Sequence, residues 1–233
     1  MPAAPLILVP GFWLGAWAWD EVAELVRADG HEVTALTLPG LESVESDRSG
    51  ISLEDHVAAV CTAIEAADAP VVLVVHSGAG VVGYAASDCL PARIARLVYV
   101  DSAPATGALN ADFADVELPF RTHAELRQEN LEGLSRQHLQ RFRHLAVPQP
   151  GATLRDAPVL VDPARLDVPT TVVCTGFRAE QVRAAVTEGY PWLGGLAELH
   201  DVTYVDLPTS HWPMWSKPRE LAALLAELAD AAS

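Results

Sequence analysis

Three short stretches of the chain carry residue types that could do nucleophilic chemistry. In Val71-Val72-Leu73-Val74-Val75-His76-Ser77-Gly78-Ala79-Gly80-Val81-Val82, a run of apolar residues ends in a serine flanked by small residues and leads into an apolar helical stretch. A sharp strand-to-helix turn lifts a serine hydroxyl clear of a sheet, and it tolerates little bulk nearby. The serine oxygen then sits at the positive end of the following helix. Ser77 is the candidate nucleophile, and the Gly78 N–H a candidate donor to an oxygen that gains negative charge. The match to G-x-S-x-G is imperfect, with Val75 and Ala79 standing where glycines are expected. An incidental serine in such a turn would read the same, so the assignment needs partners.

The second stretch is Pro10-Gly11-Phe12-Trp13-Leu14-Gly15-Ala16-Trp17, at the end of the first apolar run. Gly11 allows a tight turn away from a sheet, so the Phe12 N–H becomes the second candidate donor of an oxyanion hole. Losing one such donor costs about 100-fold to 1000-fold in rate. Phe12 and Trp13 are candidate pocket residues, whereas Trp17 and Trp19 read as core. The third stretch, Val202-Thr203-Tyr204-Val205-Asp206-Leu207-Pro208-Thr209-Ser210-His211, ends a strand in a polar loop with a histidine just before the last helix. A neutral imidazole within hydrogen-bond reach of the hydroxyl is what a serine nucleophile requires, and His211 is the candidate general base.

Residues so far apart in sequence need a scaffold to meet. Short apolar runs at Leu6–Val9, Val33–Leu38, Val71–Val75, Leu97–Val100, Thr170–Cys174 and Val202–Leu207 suit strands covered on both faces. Helical patterns lie between them. Val57, Val60, Cys61 and Ile64 form one stripe behind a capping box of Ser52 and Asp55. Leu221, Leu224, Leu225 and Leu228 form another, entered through Pro218, and a helix near Asp20–Ala28 is closed by Gly30. Alternation of this kind predicts right-handed crossovers and a mostly parallel six-stranded sheet with helices on both faces, an α/β class. From about 104 to 169 no strand is predicted. Helical stretches near Thr122–Gln128 and Leu131–Leu145 and a proline-rich loop fill the interval, which reads as a lid insertion within one domain spanning 1–233.

Composition narrows the partners. The net charge of −16, from 31 acidic and 15 basic side chains, disfavours nucleic acid and anionic membranes. The N-terminal residues have no basic region, and the run Leu6–Val9 is too short for a signal core or a span, so a cytoplasmic protein is expected. Cys61, Cys89 and Cys174 show neither paired spacing nor neighbouring histidines, and no nucleotide loop is present. The expectation is no metal, no cofactor and a small-molecule substrate, with a homodimer left open. The histidines His123, His138 and His144 lie among Arg127, Arg136, Arg141 and Arg143 and are assigned no role.

Taken together, the Pro10–Trp13 turn, the stretch around Ser77 and the His211 loop resemble the α/β-hydrolase superfamily over nearly the whole chain. Gly11 to Trp19 and His31 to Gly40 resemble its compact branch of plant-type esterases and hydroxynitrile lyases. The resemblance implies a strand order of 4-3-5-6-7-8 in the family's numbering, its first two strands being absent. The oxyanion turn and the serine then flank the topological switch point, where open sheets bind ligands.

The resemblance also implies an aspartate just after Thr170–Cys174, and none is there. Asp101, ending Val98-Tyr99-Val100, is the preferred replacement, since a strand end fixes a carboxylate firmly. Glu180 is the alternative, and a site without an acid is the third. Asp101 could equally cap the following turn. The leading expectation is a serine hydrolase of a small carboxylic ester, lactone or thioester, working through an acyl-enzyme on Ser77. A non-hydrolytic lyase is the alternative, although such plant enzymes want a pocket lysine and the chain holds only Lys217. A ligand-binding protein without turnover is the third reading.

Overall fold

The computed structural model describes residues 3–126 and 128–232. Arg127, named above among the arginines near the lid histidines, lies outside the described residues, as do Met1, Pro2 and Ser233. In chain order the strands are β1 (Leu6–Val9), β2 (Val33–Ala35), β3 (Val71–His76), β4 (Ile94–Val100), β5 (Glu117–Leu118), β6 (Gln149–Pro150), β7 (Thr170–Cys174) and β8 (Val202–Asp206). The helices are α1 (Asp20–Ala28), α2 (Leu53–Ala66), α3 (Gly80–Cys89), α4 (His123–Leu126), α5 (Arg136–Leu145), α6 (Ala152–Arg155), α7 (Ala179–Thr187), α8 (Gly194–Glu198), α9 (Pro213–Ser216) and α10 (Pro218–Ala231).

Six strands form one parallel sheet in the order β2-β1-β3-β4-β7-β8, which is the implied order in chain numbering. Every residue of β1 and β3 is buried, as expected of strands covered on both faces. Alternation divides their side chains between two cores. Leu6, Leu8, Val72 and Val74 pack with α1 and α10 through Val22, Val26, Leu221 and Leu225. Ile7, Val9, Leu73 and Val75 face the other way, toward Val60 and Ile64 of α2 and Val82 and Ala85 of α3. Beneath β7, Val172 and Cys174 pack on Val182 of α7 and Leu196 of α8. Trp19 is fully buried, and Trp17 stacks on Trp215 with ring centroids 5.8 Å apart, so both belong to the core as expected.

The capping box of Ser52 and Asp55 opens α2, and Gly30 with φ +92° closes the turn after α1. Other boundaries differ from expectation. The second strand ends at Ala35. The helix expected from Leu131 starts at Arg136, because Ser135 makes the capping hydrogen bond to the His138 N–H and its own backbone takes the extended conformation. The interval expected to lack strands holds the antiparallel pair β5–β6, two residues each, which ties two distant points within it together. A pairing this short carries no periodic signal in sequence.

Helix α3 lies unusually close to the strand that precedes it. A Cβ on Gly83 would stand 2.6 Å from Val75 Cγ1, and one on Gly80 would stand 2.3 Å from the Ala103 carbonyl oxygen. The second contact is with backbone and cannot be relieved by rotating a side chain. Gly80→Ala is expected to lower unfolding free energy by about 1–3 kcal/mol, the usual cost of overpacking, with urea denaturation as the check. An unchanged midpoint would mean that the turn after β4 yields freely.

Candidate active site

The chain passes from β1 outward to β2 and then returns to place β3 on the other side of β1, so the switch point lies between β1 and β3. Ser77 follows β3 directly, and the turn Pro10–Trp13 follows β1. Asp101 follows β4, the next strand along. His211 comes from the loop after β8, which reaches back across the strand ends.

Backbone geometry marks this rim. Among the described residues, three non-glycine residues have positive φ: Trp13 at 67°, Ser77 at 52° and Asp101 at 45°. Each immediately follows one of the central strands or its turn. A side chain in the left-handed region costs about 1–2 kcal/mol, and such strain persists only where surrounding structure imposes it. For Trp13 the constraint is visible: its N–H donates to Gln149 Oε1 at 3.2 Å, its indole N–H donates to the Leu118 carbonyl at 3.2 Å, and its carbonyl accepts from the Val147 N–H at 3.1 Å.

The three expected side chains are contiguous. The Ser77 hydroxyl lies 2.8 Å from His211 Nε2, and His211 Nδ1 lies 2.5 Å from Asp101 Oδ2. With the proton on Nδ1, the ring donates to Asp101 and accepts from Ser77. Burial pushes the Asp101 carboxyl pKa up, but the hydrogen bond and charge of His211 outweigh it and hold the pKa below its ordinary value. Asp101 is therefore a carboxylate at neutral pH. Glu180 is exposed in the first turn of α7, away from this contact, and the carboxylate at Nδ1 belongs to Asp101.

The loop carrying His211 is anchored by His76 and by a set of hydroxyl groups. His76, fully buried in β3, has Nε2 2.7 Å from the His211 carbonyl oxygen. Since a carbonyl only accepts, Nε2 carries the proton, and the buried Nδ1 makes no hydrogen bond. Below His211, Ser216 Oγ accepts from Thr209 Oγ1 at 2.7 Å and Ser210 Oγ at 2.9 Å, and donates to the Trp212 carbonyl. Ser102 Oγ donates to the Ser77 carbonyl at 2.5 Å, fastening the serine turn to the end of β4. Nothing in sequence spacing distinguishes these hydroxyls from ordinary loop serines.

Burial pushes the His76 pKa down from 6.5 to about 3, and the nearby imidazole of His211 acts in the same direction. The unfolded chain takes up this proton near pH 6.5, whereas the folded chain refuses it until about pH 3. Stability must therefore fall as pH drops through that window, by up to about 1.4 kcal/mol per pH unit for this one group. His56, buried and hydrogen-bonded to the Pro39 carbonyl, is also lowered and adds to the fall with the same sign. His76→Gln keeps a donor at the Nε2 position and cannot titrate. Between pH 6.5 and 4 it is expected to lose about 3 kcal/mol less than the wild type, by urea unfolding at each pH; parallel curves would refute the assignment of a buried neutral imidazole.

Close packing shapes the turn facing Ser77. A Cβ on Gly11 would stand 2.8 Å from both His76 Nδ1 and Ser77 Cβ, and one on Gly78 would stand 2.5 Å from the Phe12 ring. Gly11, expected to make the turn that presents the Phe12 N–H to a substrate, lines neither cavity at Ser77 and lets β1 and β3 turn side by side. The Phe12 N–H makes no hydrogen bond among the described residues. The Gly78 N–H lies in the first turn of a helical segment, where amides lack an internal partner.

Two cavities meet at Ser77, Gly78 and Asp101. One, of about 410 Å³, is apolar and is lined by Val81, Ala103, Val182, Trp192 and Leu193. The other, of about 420 Å³, is lined by His211, Trp13, Arg121, Glu129 and Asn130. The segment 104–169 contributes to both, through Leu109 in the first and through Arg121, Glu129 and Asn130 in the second, where they stand beside Phe12, Trp13 and Trp212. Among the described residues no group of three or more His, Cys, Asp or Glu side chains is arranged to hold a metal ion, and no helix is long and apolar enough to cross a membrane.

Residues 6–224 match the model of the alpha/beta hydrolase family. Among curated relatives, Esterase PIR7B of Oryza sativa subsp. japonica is 27% identical over 256 aligned positions, covering 96% of this chain and 95% of the relative. The Carbendazim hydrolyzing esterase of Nocardioides sp. (strain SG-4G) is 34% identical over 101 residues, and that match spans only 42% of either protein. Among solved structures, tomato Methylketone Synthase I, as its H243A variant complexed with beta-ketoheptanoate, superposes with a TM-score of 0.78 at 17% identity over the full length of both chains. The Arabidopsis methylesterase MES16 gives 0.77 at 17% identity, covering 97% of this chain and 98% of its own. At these identities the structural likeness speaks for the fold alone.

Proposed function

The chain belongs to the alpha/beta hydrolase family, and on that footing we propose that it is a carboxylic-ester hydrolase working through an acyl-enzyme on Ser77. The observation that carries this reading is the unbroken contact from Ser77 Oγ through His211 to Asp101, at the mouth of two cavities large enough for the halves of a small ester. Relatives named as esterases and methylesterases support the reaction class.

In the proposed cycle, Ser77 Oγ attacks the carbonyl carbon while its proton moves to His211 Nε2. The carbonyl oxygen becomes an oxyanion that accepts from the Phe12 and Gly78 N–H groups. The carbon–oxygen bond to the alcohol then breaks, and Nε2 returns the proton to the departing oxygen. Water enters, gives a proton to Nε2 and attacks the acyl carbon; the bond to Ser77 Oγ then breaks, Oγ takes the proton from Nε2 and the carboxylic acid leaves. Asp101 keeps the Nδ1 proton in place throughout and stabilises the imidazolium. The segment 104–169 acts as a lid over both cavities. Small esters, lactones and thioesters are the substrate class.

The lyase alternative loses ground because Lys217 sits at the start of α10 and lines neither cavity. An aryl phosphonate that mimics the tetrahedral intermediate tests the proposal. Peptide mass spectrometry is expected to place one stoichiometric adduct on Ser77, with loss of esterase activity in step. No adduct, or one elsewhere, would overturn it.

A further inference from the structure

We infer that the site sorts the two halves of its ester and that the half which leaves is a neutral, hydroxylated alcohol. The inference rests on the acyl-enzyme reading above. It begins with the proton. When the tetrahedral intermediate collapses, the alcohol oxygen takes its proton from His211 Nε2, so that oxygen must lie within hydrogen-bond reach of the imidazole. Its substituents then extend into the cavity that His211 lines. The acyl substituent takes the other cavity, among Val81, Val182 and Leu193, where His211 is absent.

The two cavities differ in chemistry. On the alcohol side the Arg121 guanidinium stacks over the Trp13 ring, 5.4 Å from its centroid, and pairs with Glu129. Asn130 is fixed beside them, its Nδ2 donating to the Thr209 carbonyl at 3.2 Å and its Oδ1 accepting from the Glu132 N–H at 3.0 Å. The side chains of Arg121 and Glu129 remain 40% and 30% exposed, so their polar edges are open to a ligand. An anionic alcohol could pair with Arg121 only by leaving the Glu129 carboxylate uncompensated, and a cationic one with Glu129 only by doing the same to Arg121. An alkyl alcohol would strip water from the ion pair and return no hydrogen bond. A neutral polyol meets none of these costs, because its hydroxyls accept from Arg121 and donate to Glu129. Donors and acceptors set side by side discriminate by unpaired groups, the mode of selection that reaches high ratios.

The test is a set of butyrate esters that share one acyl-enzyme and differ only in the alcohol: methyl, n-butyl and 2,3-dihydroxypropyl. Since kcat/KM covers the steps through acylation, it reads the alcohol contact, whereas a deacylation-limited kcat is common to all three. The dihydroxypropyl ester is expected to exceed the n-butyl ester about tenfold in kcat/KM, from two hydrogen bonds each worth about threefold. Arg121→Ala and Glu129→Gln should each bring that ratio down to about threefold or less. Equal values for the two esters in the wild type, or a ratio that survives both substitutions, overturns the inference. A Ser77 phosphonate adduct alongside alcohol-blind kinetics overturns this inference alone, while absence of the adduct overturns the underlying reading as well.

Discussion

Ser77→Ala is expected to lower kcat on any ester at least about 10⁴-fold, the scale seen when a serine nucleophile is removed from a working triad. The hydroxyl is the atom that His211 Nε2 touches at 2.8 Å, and alanine leaves the imidazole with nothing to deprotonate except water. The loss should appear in kcat rather than in binding, since both cavities and the Phe12 and Gly78 amides are untouched. Background catalysis from those amides and from positioning sets the floor. Folding offers no escape from the test. Alanine is smaller, keeps the same strained backbone at φ 52° and breaks no packing contact, so the melting temperature should move by no more than about 2 °C. Activity within tenfold of wild type in a folded Ser77→Ala protein would refute the acyl-enzyme mechanism.

The second large effect is expected at Asp101. Asparagine has nearly the same shape and is among the few residues that tolerate the left-handed region, so the φ of 45° presents it with no new strain. What it lacks is charge, and it can turn its NH₂ toward Nδ1 and favour the wrong tautomer of His211. A loss in kcat of about 10⁴-fold follows from that disabling of the imidazole. Glu180→Gln, on the solvent side of α7, should change kcat less than about twofold. Comparable losses at both positions, or a larger one at Glu180, would contradict the assignment. Because the Asp101 pKa lies below its ordinary 3.8, its charge stabilises the fold fully above that value and is lost only as pH falls below it. An acid limb of the rate profile near neutrality therefore cannot come from Asp101.

Much of this protein is legible in one dimension. Apolar runs of four to six residues separated by helical stripes point to a parallel sheet, because central strands such as β1 and β3, covered on both faces, are apolar at nearly every position, whereas the edge strand β8 is only partly buried. The capping residues Ser52 and Asp55 and the closing Gly30 mark helix ends through local hydrogen bonds and backbone freedom, which neighbouring residues decide. Ser77 and His211 are legible for a related reason: each sits at the end of a recognisable strand, and the order of strands determines which ends share a rim.

What the chain could not disclose by itself depends on contacts between distant segments. Whether Asp101 or Glu180 faces Nδ1 turns on how far the loop after β8 reaches back, and the anchor that sets this, His76 holding the His211 carbonyl, joins positions 135 apart. The Arg121, Glu129 and Asn130 side chains line the cavity beside His211 from a segment that the short β5–β6 pair and the Trp13 contacts hold in place. Local periodicity carries no information about such pairings, since their free energy comes from burial and hydrogen bonds made after the sheet has formed. The strand ends were written in the sequence; the side chains that finish the pocket were chosen by how the loops above them pack.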